Sequence, residues 1–198
     1  MSEKNNIIIP KPSENELKRY LVKWNTLKNY VEQEKALNKL FLETYPKNTD
    51  KRDILIKTSS LNDFYSTNIF SIFPVAENIF SLEIDSRLEN KDLTLVNDIA
   101  KVNINGKEKN FYSFASKYCS HHFPYIYPIY DSYVDKVLIH FRDTDEFLKF
   151  KNKDLRDYEE FFHILCEFKE FYSIKSNLKD LDKYLWLLGK DFFTKKYK

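Results

Sequence analysis

Apolar residues recur at helical spacing along most of the chain. After Ser13, which is followed by Glu16 in the pattern of a capping box, Leu17, Tyr20, Leu21, Trp24, Leu27, Tyr30 and Val31 fall three or four residues apart. A second stripe, Leu37, Leu40, Phe41 and Tyr45, runs to Pro46. The spacing predicts two helices, or one bent helix, across 14–44. Further stripes predict helices over about 52–66, from about Ile69 to Asp85, and over 91–101. Ser66-Thr67-Asn68 reads as the break between the first two of these. Residues 102–112 hold Asn105-Gly106, the strongest turn signal in the chain. Short strands, Val102–Ile104 and Phe111–Tyr112, could flank it, but a loop between two helices is the preferred reading. Ser113 then reads as the cap of a helix through about His121. Pro124 and Pro128 bound an extended segment, because the residue before each proline is pushed out of the α region. Asp131 sits where the next helix should be capped. Two more amphipathic stripes predict helices at about 153–173 and 177–193.

Composition supports the same picture. The chain has 198 residues, enough for one domain with its own core, and no repeat or linker divides it. Only 2 glycines occur, against 17% aromatic residues. Tight hairpins and phosphate-cradling loops need positive φ, so sandwiches, barrels and glycine-loop nucleotide sites are disfavoured. Neither common nucleotide-binding fingerprint is present. The fold class expected is all-α: a single globule of about eight helices over 1–198, with an N-terminal strap at 1–12 anchored by Ile7, Ile8 and Ile9.

Net charge is +2, so bulk charge does not announce a nucleic-acid partner, although a local patch is compatible with it. Cys119 and Cys166 have no metal spacing and read as reduced thiols of a cytoplasmic protein. No apolar run suits a signal peptide or a membrane span.

The chemistry concentrates in Ser113–Val134, SFASKYCSHHFPYIYPIYDSYV. A lysine amine is a nucleophile only when neutral, and its unperturbed pKa is about 10.4. Lys117 falls early in a helix within an apolar stretch, where burial and the helix N-terminus both favour the neutral form. Such an amine can attack an electrophilic carbon and form a Schiff base. A carboxylate at a helix N-terminus, as at Asp131, is placed to stabilise a nearby cation such as an oxocarbenium ion.

Ala115-Ser116-Lys117 followed by Pro128-Ile129-Tyr130-Asp131 resembles the core of the helix-hairpin-helix DNA glycosylases. The wording F-A-S-K…P-I-Y-D looks most like bacterial proteins described as having an 8-oxoguanine DNA glycosylase fold. The resemblance spans about 52–142 and is strongest over 113–134. It departs from the family at the hairpin, where Val102–Tyr112 holds one glycine and no proline. The interval from Lys117 to Asp131 is also shorter than in well-known members.

The resemblance implies a DNA glycosylase with abasic-site lyase activity and no cofactor, acting as a monomer on double-stranded DNA that carries a damaged base such as 8-oxoguanine. Lys117 would be the nucleophile, and Asp131 would stabilise the sugar cation. Asn68 would face the gap left by the extruded base. Asn105, Gly106, Lys107 and Lys109 would contact the DNA backbone. His122, Tyr130 and Trp186 are candidates for the base pocket, since aromatic faces stack on bases. His121 and His122 are adjacent and find no third ligand at suitable spacing, so no metal is expected. The competing reading is a non-catalytic module that keeps the scaffold to bind nucleic acid or protein.

Overall fold

A computed structural model describes residues 9–193. The described residues form ten α-helices, two short helical turns of other pitch and one two-stranded hairpin. Ile7 and Ile8 of the expected strap lie outside this range, as do Lys195, Lys196 and Lys198. Ile9 packs against the core and Pro12 is buried.

Helix α1 (Glu14–Thr26) opens with Ser13 Oγ accepting the Glu16 amide. Helix α2 (Lys28–Asn38) follows after a break at Leu27 and runs into a π-helical turn, Lys39–Thr44. Helix α3 (Lys51–Tyr65) is capped by Asp50 and ends where Ser66 turns left-handed, at φ 49°. The predicted break at Ser66-Thr67-Asn68 is therefore real, and Asn68 also has positive φ. The stripe from Ile69 to Asp85 resolves into α4 (Ile72–Ser81) and the short α5 (Asp85–Glu89). Helix α6 (Leu95–Ala100) leads into the hairpin.

The expected loop at 102–112 is corrected to a β-hairpin. Strand β1 (Lys101–Ile104) pairs antiparallel with β2 (Lys107–Asn110), Ile104 opposite Lys107 and Val102 opposite Lys109. Asn105 and Gly106 both have positive φ, which a two-residue turn of matching twist requires. The Gly106 amide donates to Asn103 Oδ1. Strand β2 is exposed throughout and carries no apolar alternation, so nothing in its sequence marks it as a strand.

Helix α7 (Tyr112–His122) is buried along its length apart from Ser113. Its cap position is Phe111, not Ser113 as the sequence suggested. The next segment is also corrected. Phe123 O accepts from the Ile126 and Tyr127 amides, so residues 123–127 form a turn rather than an extended arm. Asp131 then caps α8 (Ser132–Asp145) through the Tyr133 amide, as predicted. The single helix expected at 153–173 is a 3-10 turn, Asp154–Arg156, followed by α9 (Tyr158–Phe171), with Asp157 capping the latter. Helix α10 (Leu178–Phe193) closes the described chain.

Helix α10 lies between α1 and α8. Gly189 lets α8 come close: a Cβ there would meet Tyr133 Cβ at 2.6 Å and the Tyr133 carbonyl oxygen at 2.7 Å. On the other side α3 packs on α4, and α6 on α7. Helix α7 thus runs through the interior, with α6 packed on it and α3 and the π-helical turn beside it. Among the described residues, no helix is long and apolar enough to cross a membrane.

Candidate active site

A helix buried on all sides is normally apolar all round. Helix α7 breaks that rule with Ser116, Lys117, Ser120, His121 and His122, all buried. Buried polar groups need partners, and their partners define the site.

Lys117 is 3% exposed. Its amine donates to Ser113 Oγ at 2.6 Å and to the Tyr130 carbonyl at 3.2 Å, and it lies 3.5 Å from Asp131 Oδ2. Burial pushes the amine below the ordinary lysine range, and Asp131 and Asp182 pull it only part of the way back. Ser113 hands its own proton to the Tyr130 carbonyl, and Ser116 Oγ accepts the Tyr130 amide. These bonds tie the start of α7 to the segment that delivers Asp131. The aspartate spends Oδ1 on its cap and turns Oδ2 toward the lysine.

Both side chains line one cavity of about 230 Å³. Trp24, Tyr30 and Trp186 form an aromatic corner, with Tyr30 and Trp186 centroids 5.0 Å apart. Phe64 and Tyr65 from α3 line it as well, and the Lys117 amine lies 5.3 Å from the Tyr65 ring centre. Glu34 on α2 receives Lys179 at 3.0 Å and Lys183 at 2.9 Å. Burial raises the Glu34 pKa, but the two lysines outweigh it and leave the carboxyl below its usual range. Asp182 is 5% exposed; its Oδ2 accepts the Ile129 amide at 2.9 Å, and its Oδ1 has no partner among the described residues. Burial pushes its pKa up to about 8 against the pull of that amide and of Lys179, Lys117 and Lys183.

The structure brings together Lys117, Asp131 and Trp186 among the residues singled out from sequence. It places the others elsewhere. Tyr130 is buried among Tyr112 and Phe161, and only its carbonyl reaches Lys117. His122 lines a second cavity of about 260 Å³ with Phe41, Lys47 and Asp85, and its Nε2 lies 3.2 Å from Asn48 Nδ2. His121 shares a hydrogen bond with the Tyr65 hydroxyl at 3.0 Å. Burial holds both imidazoles neutral, His121 falling to about 3 and His122 well below the usual range. Asn105, Gly106, Lys107 and Lys109 sit on the hairpin and do not line the cavity. Asn68 is exposed in the loop after α3, two residues before Phe70, which is 96% exposed.

Sequence reasoning missed Asp182, Glu34, Trp24 and Tyr30. Asp182 left a readable signal: it lies one turn from Leu178 and from Leu185, a lone carboxylate within the apolar stripe of α10. Glu34 left none, because both its partners come from the far end of the chain.

The HI_0787_N family model, described as an N-terminal domain, matches residues 16–126. That span includes Lys117 and stops short of Asp131. A Haemophilus influenzae protein described only as uncharacterized is 53% identical over 135 residues, 68% of this chain. The match spans 65% of that relative's length. No solved structure matches the chain.

Proposed function

This chain belongs to the HI_0787_N family, and we propose that it is a DNA glycosylase with abasic-site lyase activity, acting in the cytoplasm as a monomer on double-stranded DNA that carries a damaged base of the 8-oxoguanine kind. The observation that carries this reading is the buried Lys117 amine, 3.5 Å from Asp131, on the wall of an aromatic-lined cavity. Burial shifts the amine toward the neutral form that attack requires. The aromatic corner offers stacking faces to an extruded base. In the reaction, Lys117 Nζ bonds to C1′ as the C1′–N glycosidic bond breaks. Asp131 stabilises the cationic character of the sugar and receives the proton that the amine sheds. Opening of the sugar gives the Schiff base, and β-elimination then cuts the strand on the 3′ side. The chain's own residues supply each of these groups, and no cofactor is invoked. Phe70 and Asn68, exposed in the loop that begins at the cavity-lining Ser66, stand ready to fill the gap left in the duplex.

Borohydride trapping tests the proposal. A duplex with 8-oxoguanine or an abasic site should give a covalent adduct with the wild-type chain and none with Lys117→Gln. A second reading, a binding module without catalysis, draws on the β-hairpin, which stands where the glycosylases carry a glycine-rich turn. It predicts duplex binding with no adduct on any substrate.

A further inference from the structure

The cavity carries a second carboxylate whose surroundings differ from those of Asp131. Asp182 projects from the otherwise apolar inner face of α10 and is 5% exposed. The two lysines beside it, Lys179 and Lys183, turn instead to Glu34. Asp182 therefore lacks an ion-pair partner, and a buried unpaired carboxylate is a poor anion. Burial holds its pKa up to about 8, so it keeps its proton at neutral pH. Oδ2 already accepts the Ile129 amide, which leaves the proton on Oδ1. Among the described residues that oxygen has no partner. A buried donor left unpaired is costly, and an occupant of the cavity with a ring nitrogen or a carbonyl oxygen would remove that cost.

We propose that Asp182 is the proton donor to the departing base, so that the cavity assigns opposite duties to its two carboxylates. This rests on the glycosylase reading and names the group that accepts its leaving-group charge. The C1′–N bond breaks with its electron pair going to the base. The Asp182 Oδ1 proton passes to an acceptor nitrogen or oxygen of that base, which leaves neutral, and Asp182 becomes the carboxylate. Lys117 Nζ supplies the pair for the new N–C1′ bond and sheds one proton to Asp131. Total charge is unchanged. One carboxyl group that gives a proton and another that receives one form a recurrent acid and base pairing.

The test separates base release from Schiff-base formation. Asp182→Asn keeps an acceptor for the Ile129 amide and an N–H donor, but it has no proton to give. Single-turnover release is measured on duplexes carrying 8-oxoguanine, hypoxanthine or uracil, each of which needs a proton to leave neutral, using the base that the wild type removes fastest. Borohydride trapping on an abasic duplex needs no base to leave. Asp182→Asn should slow release by at least about 100-fold while leaving the abasic adduct within about threefold of wild type. Asp182→Ser, a smaller side chain, should show the same split and covers misfolding of the first variant, which thermal melting reports. Equal loss of both activities in a folded variant would make Asp182 a support of the cavity and overturn the proposal, as would unchanged release. Wild type that traps on abasic DNA yet releases none of the three bases also overturns it. Absence of any wild-type adduct overturns the glycosylase reading itself, and this proposal with it.

Discussion

The Lys117 amine donates to Ser113 Oγ at 2.6 Å, one turn back along α7, and so keeps its shortest bond for a neutral hydroxyl. Asp131 stands farther off, at 3.5 Å. The carboxylate therefore relieves only part of the cost of burying the amine, whose folded pKa falls below the ordinary range.

That depression makes stability depend on pH. Between the lowered folded value and the unfolded value of about 10.4, the unfolded chain binds more protons, so stability rises with pH. Lys117→Met removes this dependence. The variant should be more stable than wild type by about 1 kcal/mol at pH 7, and the gap should close by pH 10. Lys57, also buried and lowered to about 8, contributes the same trend to both proteins and cancels in the difference. Asp182, raised to about 8 against the pull of Lys117, rises further in the variant, which then loses stability to a higher pH and closes the gap in the same direction. Melting curves across this range decide the matter; a gap of constant size would mean that Lys117 titrates alike in the folded and unfolded chain.

Gly189 offers a test of how the cavity is held together. Helices α8 and α10 touch where it faces Tyr133, and a Cβ would overlap that backbone. Tyr133 cannot yield without moving α8, which Asp131 caps. Gly189→Ala should destabilise the fold by about 1–3 kcal/mol. It should also weaken adduct formation in the fraction that stays folded, because Trp186 and Asp182 on α10 shift against Lys117 and Asp131. A variant as stable as wild type would show that the helices part without strain.

Sequence carried the helices wherever amphipathic spacing was dense, and it carried Asp131, because a cap is a local device. It did not carry the role of Ser113. Its position before an apolar run mimics a cap, yet its hydroxyl serves Lys117 and Tyr130. The hairpin was half legible: Asn105-Gly106 announces a turn, but the arm Lys107–Asn110 is polar and exposed, so no alternation betrays it. The α2 wall of the cavity was hidden, since Glu34 acquires meaning only when Lys179 and Lys183 fold onto it. Tertiary pairing of this kind leaves no trace in local periodicity.

Phe70 is too exposed to serve the core. Its loop is held rigidly: Asn62 Oδ1 accepts from Thr67 Oγ1 at 2.7 Å and from the Ile69 amide at 2.9 Å, while Ser66 and Asn68 take left-handed φ. The side chain itself is 96% exposed. Phe70→Ala should therefore change stability by less than about 0.5 kcal/mol. Stacking on a base contributes about 1–3 kcal/mol, so duplex affinity should fall about tenfold, read by fluorescence anisotropy with a duplex holding an uncleavable abasic analogue. Unchanged affinity would remove this loop from the DNA interface.

The hairpin presents a charge arrangement of its own. The register places Lys107 opposite Ile104 and Lys109 opposite Val102, so both lysines share one face, while Glu108 lies on the other opposite Asn103. If the exposed strand β2 meets phosphate, each lysine displaces a counterion, and log affinity falls with log salt by about 0.9 per contact. The double variant Lys107→Ala, Lys109→Ala should flatten the salt slope by about 2 relative to wild type, whatever the duplex sequence. Glu108→Ala should leave the slope alone, because no phosphate contact is lost. The adduct that the double variant forms at saturating duplex should remain, since neither lysine lines the cavity. An unaltered slope would detach the hairpin from DNA and leave the grip on the backbone to other surfaces, the Phe70 loop first among them.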